Sequence, residues 1–110
     1  MQGIGIDIVE VERFKKIASL SRFLEFVFLP EEMKVLEEKT DKFAYISSRF
    51  AAKEAVIKAM PLPVSMHDFE IKKDGLKPTV VFLNEKLRKF TAQVSLSHSD
   101  THAAAVAIVE

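Results

Sequence analysis

Asp41-Lys-Phe-Ala-Tyr-Ile-Ser-Ser-Arg-Phe-Ala-Ala-Lys-Glu-Ala-Val-Ile-Lys-Ala-Met60 decides how the rest of the chain must be arranged. Within it Phe43, Ser47, Phe50, Glu54 and Ile57 follow one another by four, three, four and three residues. That spacing keeps side chains on one stripe of an amphipathic α-helix. Asp41 supplies its N-cap. Pro61-Leu-Pro63 ends it, because proline disfavours helical geometry in the residue before it and has no N–H to donate. Glu54 interrupts the stripe where a core hydrophobe is expected. A carboxylate beside Phe50 and Ile57 loses hydration unless a cation or a set of donors replaces the water, which makes it a candidate functional group. Lys58, one turn later, is placed to reach either that carboxylate or an anionic ligand. The plainer alternative is a surface ion pair that supports the helix by a few tenths of a kcal/mol.

Upstream, Gly3-Ile-Gly-Ile-Asp-Ile-Val9 alternates as a strand does. Ile4, Ile6 and Ile8 share the face expected to enter the core. Gly3, Gly5, Asp7 and Val9 share the other, where a ligand or another backbone can come close. Helical spacing follows at Val11, Phe14, Ile17 and Ala18, with Glu12 to Lys16 as an i, i+4 pair. Ser21 is a cap candidate for a short helix through Phe26, and Pro30 suits the first turn of another over Glu31 to Lys39. Downstream, Phe69 to Lys73 and Thr79 to Leu83 flank the turn signal Asp74-Gly75, with Pro78 expected to delay the second strand. Asn84 is a cap for a short helix bearing Leu87 and Phe90. Val94 to His98 and Ala103 to Val109 form a second hairpin. One strand, then helices, then mostly antiparallel strands around the long helix is an α+β order, and residues 1–110 show no repeat, linker or low-complexity tract to divide a single domain.

Composition bounds the function. With 110 residues and 48% hydrophobic content the chain has a core but little room to enclose a large ligand alone, so help from a second copy is expected. Sixteen basic and sixteen acidic residues cancel, so no overall field points to nucleic acid or to an anionic membrane. The absence of cysteine excludes thiol and disulfide chemistry. No segment has the length of a membrane span and the first residues lack a basic, then apolar, leader, which predicts a soluble cytoplasmic protein.

Asp7 and Glu54 are the carboxylates most suited to meet at an open face. Such a pair suits Mg²⁺, which takes one or two protein carboxylates and completes its shell with water and phosphate oxygens. Ser97-His98-Ser99 adds small donors and an imidazole at a strand end. Gly3-x-Gly5 alone is not a dinucleotide fingerprint, since position 8 is isoleucine. His98 and His102 have the spacing of zinc ligands on a helix, but they flank an expected turn and lack a third ligand.

Taken together, Gly3-Ile-Gly-Ile-Asp-Ile-Val9 with Glu12-Arg13, Arg49-Phe-Ala-Ala-Lys-Glu-Ala55 with Lys58, and Val94-Ser-Leu-Ser-His-Ser99 before an alanine-rich strand resemble the holo-acyl-carrier-protein synthase family of small phosphopantetheinyl transferases. The resemblance spans nearly the whole chain. It implies a phosphopantetheinyl transferase fold and transfer of 4′-phosphopantetheine from coenzyme A to a serine of acyl carrier protein, releasing adenosine 3′,5′-bisphosphate. It implies that Asp7 and Glu54 bind Mg²⁺ with the pyrophosphate and that Lys58 contacts its oxygens. Glu54, directly or through a metal-bound water, is a candidate to take the serine proton. Arg49, Ser97 and His98 join Lys58 as coenzyme A contacts, His98 from a neighbouring subunit of a homotrimer, and Arg13 and Arg22 meet the acidic carrier.

Three departures from the family pattern stand out: Phe26 where a further arginine is frequent, Ile57 where a small hydroxyl residue is common, and Met60-Pro-Leu-Pro63 where a glycine-containing turn borders the coenzyme A site. The alternatives to the transferase are a non-catalytic module that binds coenzyme A or a partner on the same scaffold, and a metal-dependent pyrophosphate hydrolase.

Overall fold

The long helix forms as its sequence demands and organises everything else. A computed structural model describes residues 1–110, the side chain of Asp74 excepted. In chain order the elements are β1 (Gly3–Glu10), α1 (Val11–Lys15), α2 (Leu20–Val27), α3 (Pro30–Glu37), α4 (Lys42–Ala59), β2 (Phe69–Asp74), β3 (Lys77–Phe82), β4 (Ala92–His98) and β5 (His102–Val109), with a short 3₁₀ turn at Glu85–Leu87. Asp41 caps α4 by accepting the Ala44 N–H at 3.1 Å. Met60 is already extended, as the prolines after it require. One antiparallel sheet has the order β1-β5-β4, and β2 and β3 form a separate hairpin.

α4 lies across the three-stranded sheet, and here the expected faces of β1 are reversed. Val9 and Gly5 are buried, whereas Ile4, Ile6 and Ile8 are 60%, 69% and 66% exposed. The cause is the missing side chains. A Cβ on Gly3 would stand 1.9 Å from the Ala59 carbonyl oxygen, and one on Gly5 would stand 2.0 Å from that of Ala55. Only glycine lets a helix backbone settle so close to a strand, so the helix takes the glycine face and the isoleucines are left outside. Ala51, Ala52, Ala55, Val56 and Ala59 are accordingly the buried stripe of α4. The stripe of Phe43, Phe50, Glu54 and Ile57 is only half-buried, so Glu54 stands at the border of the core and not within it.

Other local expectations shift. Ser19, not Ser21, occupies the N-cap position of α2, and Ser21 lies inside the helix. α1 ends at Lys15, so Glu12 meets Lys15 at 3.6 Å in place of Lys16. α3 stops at Glu37, and its terminal carbonyls are met by Lys42 Nζ, which donates to Leu36, Glu37 and Lys39. The β2–β3 connection is two residues long, Gly75-Leu76, with Gly75 at φ 66°. A positive φ at the first turn residue suits a tight hairpin. Pro78 sits within β3 opposite Lys73, a pair that exchanges no ladder hydrogen bonds, so its missing N–H costs nothing there.

A buried charge pair ties the helices to the hairpin. Lys53 and Glu32 are 0% and 2% exposed and meet at 2.9 Å. Lys53 Nζ also donates to the carbonyls of Met66 and Phe69, while Glu32 accepts the N–H groups of Leu29 and Ile71. Burial pushes the Lys53 ammonium pKa down, and Glu32 opposes that shift. The pair is a satisfied internal network joining α3, α4 and β2.

Candidate functional site

β1 and α4 bring Asp7 to Lys58, and Glu54 lies one helical turn before that lysine. Asp7 follows the glycine crossing on the helix-facing side of β1, where its carboxylate is largely covered. Lys58 Nζ donates to Asp7 Oδ1 at 3.1 Å and to the Ile6 carbonyl at 3.0 Å. Lys58 thus spends its hydrogen bonds on the strand. Glu54 is one turn before Lys58 on the same half-buried helix edge. Asp7 Oδ2 is buried and has no hydrogen-bond partner among the described residues. A buried carboxylate oxygen left without a donor is the kind of atom a cation would satisfy. Among the described residues no cluster of three or more His, Cys, Asp or Glu side chains is gathered. Asp7 and Glu54 are the two carboxylates that could share a divalent ion, a number of protein ligands that Mg²⁺ commonly takes and that leaves room for ligand oxygens.

The same edge is lined by aromatics. Phe50, one turn before Glu54, packs against Phe14 and Phe23 with ring centroids 5.4 and 5.5 Å away. Arg13 lies over the Phe14 and Phe50 rings. α1 and α2 therefore pack beside Phe50, one turn from Glu54, with Arg13 and Arg22 exposed on them.

Arg49 and His98 are brought together elsewhere. Five residues separate Arg49 from Glu54, about 140° around a helix, so the two face different flanks of α4. Arg49 stacks over Tyr45 at 5.3 Å, and its Nη1 is buried without a partner among the described residues. Burial raises the Tyr45 pKa, with Arg49 opposing. Arg49, His98 and Lys39 line one cleft beside α4, and a neighbouring groove of about 920 Å³ adds Lys73 and Lys77 from the β2–β3 hairpin. Among the described residues that larger groove is lined by five basic side chains and no acid. Ser97 stands apart, pairing with Ala104 opposite Ile8 on the outer face of the sheet. His98 and His102 end adjacent strands at a turn, not on a helix. Sequence reasoning missed Lys39, Lys73 and Lys77, because lysines spread over a helix end and a hairpin converge only once β3 folds back beside β4.

Residues 3–108 match the family model of the 4′-phosphopantetheinyl transferase superfamily. The chain is 40% identical over 116 residues to holo-[acyl-carrier-protein] synthase of Caldicellulosiruptor saccharolyticus, covering 97% of this chain and 94% of that protein. It is 38% identical over 120 residues to the Clostridium botulinum protein of the same name, covering 100% and 98%. Its fold matches Helicobacter pylori holo-[acyl-carrier-protein] synthase in complex with coenzyme A, with a TM-score of 0.85 and 32% identity over 97% of this chain and 99% of that one. It also matches the Bacillus anthracis enzyme in complex with CoA (3′,5′-ADP), with a TM-score of 0.84 and 33% identity over 99% and 96%. By length, fold and sequence alike, the chain belongs to the 4′-phosphopantetheinyl transferase superfamily, in its holo-[acyl-carrier-protein] synthase family.

Proposed function

We propose that this protein transfers 4′-phosphopantetheine from coenzyme A to a serine of acyl carrier protein in a Mg²⁺-dependent reaction that serves fatty acid biosynthesis in the cytoplasm. The serine oxygen forms a bond to the phosphorus that carries pantetheine, the pyrophosphate bridge to that phosphorus breaks, and adenosine 3′,5′-bisphosphate departs. Such a displacement depends on positioning and on neutralising phosphate charge. Asp7 and Glu54 would hold Mg²⁺, which supplies that neutralisation when bound. Lys58 turns from its strand contacts toward the phosphate oxygens, and Glu54 takes the serine proton. The observation that carries the reading is the partnerless, buried Oδ2 of Asp7 beside Lys58, one turn from Glu54.

Coenzyme A phosphates fit the groove of Arg49, His98, Lys39, Lys73 and Lys77; Ser97, on the outer face of the sheet, would join them only from a neighbouring copy. That groove and the acidic pair lie on different flanks of α4, which supports a site completed by a neighbouring copy. The exposed stripe of Ile4, Ile6 and Ile8 supports such an assembly, taken as a homotrimer. The test is to mix purified protein, Mg²⁺, coenzyme A and apo-carrier and weigh the carrier. A gain of one phosphopantetheine group, lost in Asp7→Ala and Glu54→Ala variants that still fold, is expected. Coenzyme A binding with no mass gain refutes the transferase.

A further inference from the structure

We infer that Phe26 is an apolar anchor for the carrier protein, so that this enzyme selects carriers presenting an aliphatic side chain among their acidic residues. The inference rests on the transferase function proposed above. α2 already has its core anchors: Leu24 and Val27 are buried, and Phe23 is held between Phe14 and Phe50. Phe26 lies outside that stripe and is 71% exposed. On the helix it neighbours Phe23 on one side and Arg22, one turn earlier, on the other. Phe23 touches Phe50, and Phe50 precedes Glu54 by one turn. A macromolecular substrate whose serine enters beside Glu54 therefore rests its body on α1 and α2.

What it meets there is mixed. From Val11 to Val27 there are four cations, Arg13, Lys15, Lys16 and Arg22, against two acids, Glu12 and Glu25. That excess fits an acidic partner and speeds its approach. Arg22 flanks the exposed ring on α2 and the other three cations lie on or directly after α1; an exposed aromatic residue beside such charge, once desolvated by a complementary side chain, dominates an interface. Attraction through the ring is insensitive to salt, unlike that through the arginines.

Steady-state kinetics on the intact protein separate these contributions. With coenzyme A saturating, Phe26→Ala should raise KM for apo-carrier about tenfold while kcat and KM for coenzyme A stay within about twofold. Phe26→Leu should retain most of the affinity. Phe26→Arg should bind the carrier well at low salt and lose affinity more steeply than the parent as salt rises. An unchanged carrier KM in Phe26→Ala overturns the inference. So does a smaller particle by light scattering in that variant, which would assign the ring to contact between copies. Failure of the parent protein to modify any carrier would instead overturn the transferase function itself.

Discussion

Gly5→Ala tests the contact on which the site is built. The added methyl would stand 2.0 Å from the Ala55 carbonyl oxygen and 2.9 Å from the Ala59 nitrogen, whereas ordinary contact begins at 3.4 Å. Strand and helix must therefore part by about 1.4 Å. Both obstructing atoms are backbone, so no side chain can swing aside. Overpacking of this kind costs roughly 1–3 kcal/mol, and rigid neighbours put the value at the upper end. For a domain of this size that lowers Tm by about 10–20 °C. Activity should fall further than stability. Asp7 is two residues along the same strand, and misplacing a catalytic group by about 1 Å can cost on the order of a hundredfold in rate. Circular dichroism melts and the carrier mass-shift assay, run below the melting range of the variant, measure the two effects separately. Gly75→Ala is the control, because nothing lies within 4 Å of its Cβ and only its φ of 66° is strained. If Gly5→Ala melts within about 2 °C of the parent and keeps its turnover, the close crossing of β1 and α4 is not what positions the site.

Lys53→Met should destabilise by about 3–5 kcal/mol, because it strands the buried Glu32 carboxylate, and adding Glu32→Gln should recover part of that in urea melts, since the amide oxygen still accepts a backbone N–H. Asp68 gives a pH signature: the Ser65 N–H, helped by Asn84 and opposed by slight burial, holds its pKa below the ordinary 3.8. A carboxyl depressed in the folded state contributes in full above the unfolded value and loses that contribution as pH falls through the folded one. The Tm gap between parent and Asp68→Asn should therefore be constant near neutrality and close below about pH 4. Ile6→Arg should shrink the particle seen by light scattering and abolish carrier modification while the far-UV spectrum is retained; an unchanged particle would count against the outer sheet face as the assembly surface.

The sequence made some of this legible and concealed the rest for identifiable reasons. Helix α4, its Asp41 cap, its proline stop and both hairpins were readable because each rests on local chemistry within a few residues. The faces of β1 were not. Hydrophobicity assigns isoleucine to the interior, but close approach of two backbones assigns glycine there, and hydropathy carries no record of which partner will arrive. Glu54 drew attention for a correct physical reason, a carboxylate among apolar neighbours, yet it sits at the border of the core. The fully buried charge was its neighbour Lys53, whose partner Glu32 is twenty-one residues away. Nothing at either position announces that pairing, because a lysine inside a helix and a glutamate in a first turn are ordinary surface choices.

These two surprises act on the same degree of freedom, the roll of α4 about its axis. On one side, Gly3 and Gly5 admit the backbone at Ala59 and Ala55 and nothing bulkier. On another, Lys53 is fixed by Glu32 and two carbonyls from the segment leading into β2. Successive residues on a helix are about 100° apart, so burying Lys53 turns its neighbour Glu54 to the edge of the core, and seating Ala55 against Gly5 leaves Lys58 beside Asp7. Arg49 is turned at the same time toward the cationic groove. A purely apolar interface on both sides would let alanine and valine rows exchange with little penalty, whereas an ion pair with four backbone hydrogen bonds has one satisfactory arrangement. The charge inside the core thus sets the direction of the charges outside it.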